Sequence, residues 1–209
     1  MLSSVKKNRS VDFLHRAPGA PSHIGILAGA FNPVTVAHAA LARAALARVD
    51  HVVFVLPRKF PHKEYFGPGL EARAALLLAL AAGSACYSVA CADGGLFIEI
   101  ARECRAAYGG SVRVSMLCGR DAAERIVDWD YGEPGAIERM LAEFSLLVAA
   151  RRGEYSPPPS LAHAIRRLEL DGEFDHVSAS EVRRRIAAGM PWEHLVPAAV
   201  RDQVRRLYR

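Results

Sequence analysis

The chain has 209 residues, of which 51% are hydrophobic and 23% are charged, and its formal net charge is +5 at pH 7. This length predicts one domain with a sizeable core, and the composition suits a globular protein rather than a disordered chain. The positive charge is modest and lies mostly in arginine. It favours phosphorylated or anionic ligands, although a basic solvated surface would give the same balance.

The cysteines and the apolar segments indicate a protein of the cytosol. No cysteine pair has C-x-x-C or zinc-site spacing, so free thiols in a reducing compartment are expected. The N-terminus has no apolar core of a secretory signal. Residues 74–92 carry no charge, but Gly83 interrupts them, and they predict a buried helix followed by a buried strand instead of a membrane span. The four cysteines are Cys86, Cys91, Cys104 and Cys118.

The first 23 residues carry scattered basic side chains and a Pro18-Gly-Ala-Pro21 breaker. They predict a flexible extension (1–23) before the first strand, and residues 24–209 then form a single domain. Neither an internal repeat nor a linker to a second domain is visible in the sequence.

Strands and helices are predicted to alternate through that domain. Strands separated by helices of 10–15 residues indicate right-handed crossovers and an α/β fold. We therefore expect a Rossmann-like, doubly wound, mostly parallel sheet with helices on both faces. The predicted strands are 24–28, 51–56, 86–91, 111–118, 144–150 and 174–177. The predicted helices are 36–48, 70–82, 96–108, a short one from 121, one ending at 141, one ending at 168, 181–188 and 197–208.

The stretch from Ile24 to His38 has the pattern of a strand, a small-residue turn and a helix start. Asn32 is predicted to cap the helix, with Pro33 at its first position. Backbone N–H groups and the helix dipole favour phosphate at such a terminus. Thr35 and His38 are three residues apart, so they share a face near that end.

A second helix start follows at Ser178, which forms the capping-box pattern S-x-x-E with Glu181. Arg183, Arg184 and Arg185 come soon after, where the positive end of the dipole disfavours cations unless an anion is bound. Arg184 and Arg185 are predicted to be solvated. The carboxyl ends of parallel strands share one edge, so the three loops that follow strand ends at Gly29, Pro57 and Gly119 are expected to face one crevice.

Four motifs resemble those of the nucleotidyltransferase superfamily, and most closely the nicotinate/nicotinamide mononucleotide adenylyltransferases. Gly29-Ala-Phe-Asn-Pro-Val-Thr-Val-Ala-His38 is similar to G-x-F-[DN]-P-x-[HT]-x-x-H, and Val177-Ser-Ala-Ser-Glu-Val-Arg183 to I-S-S-T-x-I-R. Gly119-Arg-Asp121 with Trp129 resembles G-x-D-x(7)-W, and Pro57-Arg-Lys-Phe-Pro-His-Lys63 resembles P-x(3)-P-H-K.

The resemblance implies a role for each matching residue. The implied catalytic residues are Thr35, His38, Lys63 and Arg183. The implied nucleotide-binding residues are Gly29, Ala30, Phe31, Asn32, His38, Gly119, Asp121, Ser178, Ser180 and Arg183. Trp129 and Lys63 are implied to bind the acceptor, and His62 is a weaker candidate than Lys63. Read without the resemblance, Asp121 would cap a helix, Trp129 would fill the core, and residues 57–63 would be a flexible basic loop.

The implied reaction is adenylyl transfer from ATP to a mononucleotide phosphate, with Mg²⁺ accompanying ATP and no metal ligand assigned on the chain. The phosphate is already a nucleophile at neutral pH, so positioning and charge neutralisation would supply the catalysis. Other phosphorylated acceptors (phosphopantetheine, a phosphosugar, glycerol phosphate) and a non-catalytic nucleotide-binding protein are alternatives. Nucleic acid is a weak candidate partner, membrane binding is not expected, and a homo-oligomer is left open. The sequence does not choose nicotinate or nicotinamide, nor ATP or CTP.

The sequence also departs from the family pattern. Ala30 replaces a usual Ser or Thr, Thr35 stands where many relatives have histidine, and Ala37 replaces glycine. Residues 92–99 lack the Ser-Tyr-Thr-like stretch that contacts the pyridine nucleotide in bacterial nicotinate-nucleotide enzymes.

Overall fold

Within residues 10–60, 64–149 and 155–209, which the computed structural model describes, seven strands form one sheet in the order β1-β4-β3-β2-β5-β6-β7. All neighbouring pairs are parallel except β1 with β4. The strands are β1 Asp12–His15, β2 His23–Ala28, β3 His51–Pro57, β4 Tyr87–Ala92, β5 Arg113–Gly119, β6 Ser145–Ala149 and β7 Ile165–Leu168. The α/β, Rossmann-like fold predicted from the sequence is confirmed.

Helices cover both faces of the sheet, as the sequence predicted. They are α1 Val36–Ala45, α2 Leu70–Ala81, α3 Phe97–Ala107, α4 Arg120–Val127, α5 Ala136–Glu143, α6 Ala179–Ala187 and α7 Arg201–Leu207, with short 3-10 turns at 159–161, 193–195 and 198–200. In the central strand β3, Phe54 packs into the cluster beneath α1 and α2. Its neighbour Val55 packs into the cluster beneath α3 and α4. Both faces of β3 are therefore buried, as expected of an inner parallel strand.

Three sequence predictions about secondary structure are wrong. Residues 12–15 form β1 on β4, so this part of the predicted extension belongs to the sheet edge. The helix predicted to end at 168 is replaced by a 3-10 turn and by β7, because pairing with β6 outweighs the helical propensity of an alanine-containing segment too short for a stable helix. The strand predicted at 174–177 is a turn, closed by the Val177 N–H donating to the Phe174 carbonyl.

Cys91, Cys104 and Cys118 are buried free thiols, and Cys86 is a partly buried one. Burial raises the pKa of the Cys118 thiol to about 12, so it stays protonated and unreactive. Among the helices that the structure describes, none combines the length and apolar character needed to cross a bilayer.

Candidate functional site

The order of the parallel strands creates a crevice between β2 and β5. Numbered from β2 along the chain, these strands lie in the order 3-2-1-4-5-6, so the direction of winding reverses at the β2–β5 pair. Ligands of open α/β sheets bind outside the carboxyl ends of the strands at such a switch point. The residues after Ala28, after Pro57 and after Gly119 all emerge at this edge.

Residues 29–33, called the 29–33 turn below, leave β2 at the switch point. The Gly29 N–H donates to the Val55 carbonyl at 3.1 Å, which ties the start of the turn to β3. Phe31 has a left-handed backbone (φ 47°), and the Asn32–Pro33 peptide is cis. The chain makes a turn at residues 32–33 before α1 begins.

The cap of α1 is not the one that the sequence predicted. Thr35 is the N-cap, and its Oγ1 accepts the His38 backbone N–H at 3.4 Å, whereas Asn32 and Pro33 lie outside the helix. Asn32 is buried instead. Its Nδ2 donates to the Phe66 carbonyl at 3.1 Å, and its Oδ1 accepts a hydrogen bond from the Tyr208 hydroxyl. The Asn32 side chain thus joins the 29–33 turn to the 64–68 segment and to the end of α7.

His38 completes the cap and is oriented by it. Its Nδ1 accepts the Thr35 backbone N–H at 3.0 Å and lies 2.8 Å from Thr35 Oγ1. A neutral imidazole whose Nδ1 accepts a backbone N–H carries its proton on Nε2. The Phe31 ring packs edge-on against the imidazole with centroids 5.2 Å apart. The half-buried His38 is therefore held as an Nε2–H donor at the first turn of α1.

The second helix start lies against the first. Ser178 caps α6 as predicted, with its Oγ accepting the Glu181 N–H at 3.0 Å, but the Glu181 carboxylate pairs with arginines and does not complete the predicted capping box. From the next turn, the Arg183 guanidinium donates to the Asn32 carbonyl and, at 3.3 Å, to Ser180 Oγ. Motifs separated by 151 residues in the chain meet in the Arg183–Asn32 hydrogen bond.

The prediction about the other two arginines needs correction. Arg184 and Arg185 lie in the last turn of α6, where the helix dipole favours cations. Both pair with Glu181, at 2.7 Å each, so an anion is not needed to explain them. Arg184 is largely exposed, as expected, but Arg185 has only 24% of its side chain exposed and is not simply solvated.

The motif of Gly119-Arg-Asp121 with Trp129 lies at α4, beside the crevice. Gly119 is the N-cap of α4 and Asp121 is exposed in its first turn without capping it. Trp129 follows the end of α4 with 56% of its surface exposed. The alternatives of a capping aspartate and a core tryptophan are therefore excluded, and the carboxylate and the indole are accessible from solvent. Lys63 and His62 lie outside the described residues.

One buried arginine was missed by the sequence reasoning. Arg73 on α2 is only 4% exposed, and its guanidinium donates to the Ala30 carbonyl at 2.9 Å and to the Pro68 carbonyl at 3.1 Å. It also stacks on Tyr65, 4.2 Å from the ring centroid. A lone charge in the otherwise apolar stretch 72–82 was the signal that could have identified it.

Residues 93–96, in the segment that departs from the family pattern, form a loop that is held by two glutamates of α3. Glu103 accepts the N–H groups of Asp93 and Gly94 at 2.9 and 2.8 Å. Glu99 accepts those of Gly95 and Leu96 at 2.9 and 3.0 Å. The backbone donors after β4 are thus satisfied within the protein.

The charge around the 29–33 turn is positive. Among the ion pairs of the described residues, none involves Arg73 or Arg183. Two guanidinium groups on backbone carbonyls, beside a helix N-terminus with an Nε2–H donor, form a site suited to a polyanion. The switch-point crevice and this cationic turn define a Rossmann-like α/β protein with a site suited to a phosphorylated ligand.

Comparison with known proteins agrees with that class. The chain belongs to the cytidylyltransferase-like family, whose sequence profile matches residues 26–185. A Moorella thermoacetica protein named "Probable nicotinate-nucleotide adenylyltransferase" is 26% identical over 208 residues, covering 90% of this chain and 93% of that protein. A Bordetella avium protein of the same name is 30% identical over 200 residues, covering 89% and 98% respectively.

Solved structures show the same fold. Plasmodium falciparum nicotinic acid mononucleotide adenylyltransferase complexed with NaAD superposes with a TM-score of 0.68 at 15% identity, covering 88% of this chain and 95% of that one. The fold predicted from the sequence is therefore that of a solved adenylyltransferase.

Proposed function

We propose that this protein transfers AMP from ATP to the phosphate of a pyridine mononucleotide, releasing pyrophosphate. The observation that carries the proposal is the hydrogen bond from Arg183 to the Asn32 carbonyl, because it brings two phosphate-type helix starts to one place. The names of the relatives support the adenylyl donor and the mononucleotide acceptor.

The chemistry needs no protein nucleophile. An oxygen of the acceptor phosphate attacks the α-phosphorus of ATP, the bond from that phosphorus to the bridging oxygen breaks, and pyrophosphate leaves. Nε2–H of His38 donates to the α-phosphate as negative charge builds on it. Arg183 and Lys63 hold the phosphates, and Ser178, Ser180 and the backbone of the 29–33 turn contribute neutral contacts. Preorganised donors of this kind supply most of the rate enhancement.

Magnesium enters this proposal with ATP. In the described part of the chain, no cluster of three or more His, Cys, Asp or Glu side chains is arranged to hold a metal ion. We expect the ion to be held by phosphate oxygens and water, and Asp121, an exposed carboxylate in the first turn of α4, is the candidate to bind one of those waters. When bound, the ion would neutralise charge on the leaving pyrophosphate.

Incubation of the protein with ATP or CTP, Mg²⁺ and a panel of phosphorylated acceptors tests the proposal through pyrophosphate release. The panel contains nicotinate and nicotinamide mononucleotides, phosphopantetheine, a phosphosugar and glycerol phosphate. We expect pyrophosphate with ATP and one pyridine mononucleotide, together with a dinucleotide identified by mass. Binding of ATP without pyrophosphate release from any acceptor would instead indicate a nucleotide-binding protein without catalysis.

A further inference from the structure

Arg73 touches the 29–33 turn from inside the protein. It is almost fully buried beneath that turn, and its 2.9 Å hydrogen bond to the Ala30 carbonyl connects α2 to the residue before Phe31. Its second hydrogen bond, to the Pro68 carbonyl, fixes the guanidinium from the other side. The Tyr65 ring covers the guanidinium plane, and the Tyr65 hydroxyl also donates to Pro68. The position of this guanidinium is therefore determined by three independent contacts.

The hydrogen bond from Arg73 to the Ala30 carbonyl determines the direction of the Phe31 N–H. The Ala30–Phe31 peptide is planar, and its C=O and N–H point in opposite directions across the plane. A carbonyl that faces Arg73 in the interior therefore turns the Phe31 N–H away from the interior. Because the carbonyl accepts from a cation, the peptide is polarised and its N–H becomes a stronger donor.

Phe31 needs such support because of its own backbone. A φ of 47° is unusual for a residue with a large side chain and persists only where neighbouring contacts hold it. Arg73 holds the carbonyl of Ala30, which precedes Phe31, and Arg183 holds the carbonyl of Asn32, one residue beyond Phe31. Two cations from different helices thus hold the 29–33 turn on either side of the left-handed residue.

We propose that Arg73 is a positioning residue, which fixes the Ala30–Phe31 peptide so that the Phe31 N–H is presented to the phosphates of the nucleotide. Its catalytic consequence rests on the proposed function above. Arg73 itself does not touch substrate, because it is buried behind the turn. Its role is distinct from that of Arg183, which is partly exposed to solvent.

The test compares Arg73→Met, Arg73→Lys and the control Arg48→Met, which removes an exposed arginine after α1. In Arg73→Met we expect kcat to fall about 10- to 100-fold with a smaller change in the KM for ATP. The reason is that the Phe31 N–H stabilises mainly the transition state, so loss of its orientation affects turnover more than binding. Arg73→Lys retains one charged donor and should recover part of that loss. Arg48→Met should keep wild-type kcat and KM.

A spectroscopic readout separates positioning from general stability. The Phe31 amide resonance should shift in both Arg73 variants and should respond less than in the wild type when inorganic pyrophosphate is added. If Arg73→Met does not fold, Arg73→Lys still gives this measurement. A folded variant with wild-type kcat and an unmoved Phe31 amide would overturn the proposal.

The two proposals can fail separately. If the wild-type protein releases no pyrophosphate with any acceptor, the proposed function is wrong. The Phe31 amide response to pyrophosphate, compared between wild type and Arg73→Lys, then still decides the positioning role. Equal responses in the two proteins would refute it, and a weaker response in the variant would support it.

Discussion

His38 has one structural role and one proposed catalytic role, and substitutions can separate them. Nδ1 accepts the Thr35 N–H and so completes the cap of α1, while Nε2–H is the proposed donor to the α-phosphate. Asparagine can place its amide oxygen near the position of Nδ1, but it has no group at the position of Nε2. Glutamine can reach the Nε2 position with an N–H, but it leaves Thr35 without its side-chain acceptor.

The two losses differ in size and in the assay that detects them. Losing one preorganised donor costs about 10²–10³-fold in kcat, or about 2.7–4 kcal/mol. Losing a helix cap costs about 0.5–2 kcal/mol of stability, and each kcal/mol lowers Tm by about 2–4 °C in a chain of this length. We expect His38→Asn to keep Tm and lose turnover, and His38→Gln to lose a few degrees while retaining more turnover than His38→Asn.

Pyrophosphate release at saturating substrate, together with thermal unfolding, measures both quantities. His38→Ala should show both losses and serves as the reference variant. If His38→Asn has a kcat within about threefold of wild type, Nε2–H is not the donor and the reasoning from the tautomer is wrong.

Four further predictions concern other parts of the chain. Ser178→Ala removes the α6 cap and should lower the free energy of unfolding by about 1 kcal/mol in urea titrations. Trp129→Ala should raise the KM for the acceptor about tenfold with Tm unchanged, the scale of one lost ring stack, and an unchanged KM would exclude stacking. Gly94→Ala should destabilise the protein, because its Cβ would lie 2.5 Å from Glu99 Cβ, and a urea midpoint equal to wild type would contradict this. Hydrogen bonds from Arg184 and Arg185 lower the pKa of Glu181 to about 2. The contribution of these hydrogen bonds to the stability of the folded protein should therefore be complete above pH 4.5 and be lost as the pH falls toward 2. An NMR titration of the Glu181 carboxyl group measures this pKa.

Local sequence was sufficient to predict much of the fold and of the site. Strand–helix alternation predicted the parallel sheet, because buried strands and crossover helices have different periodicities. Ser178 was correctly predicted as a cap, since capping depends on neighbours within one turn. The exposed positions of Asp121 and Trp129 could not be decided from sequence, because both residue types also occur as caps and in cores.

Contacts between distant segments account for what the sequence did not show. Thr35, and not Asn32, caps α1 because the Asn32 side chain is hydrogen-bonded to Phe66 and Tyr208, which are far from it in the chain. Strand β1 forms by antiparallel pairing with β4, which is distant in the chain. The role of Arg73 depends on α2 packing beneath the 29–33 turn.

The sequence by itself determined most element types, the start of α6 and the family, because these depend on residues close together in the chain. The tertiary structure alone decided that Arg183 reaches the Asn32 carbonyl and that Arg73 reaches the Ala30 carbonyl. Those contacts follow from strand order and helix packing, which bring residues from α2, α6 and α7 to one turn and concentrate positive charge there.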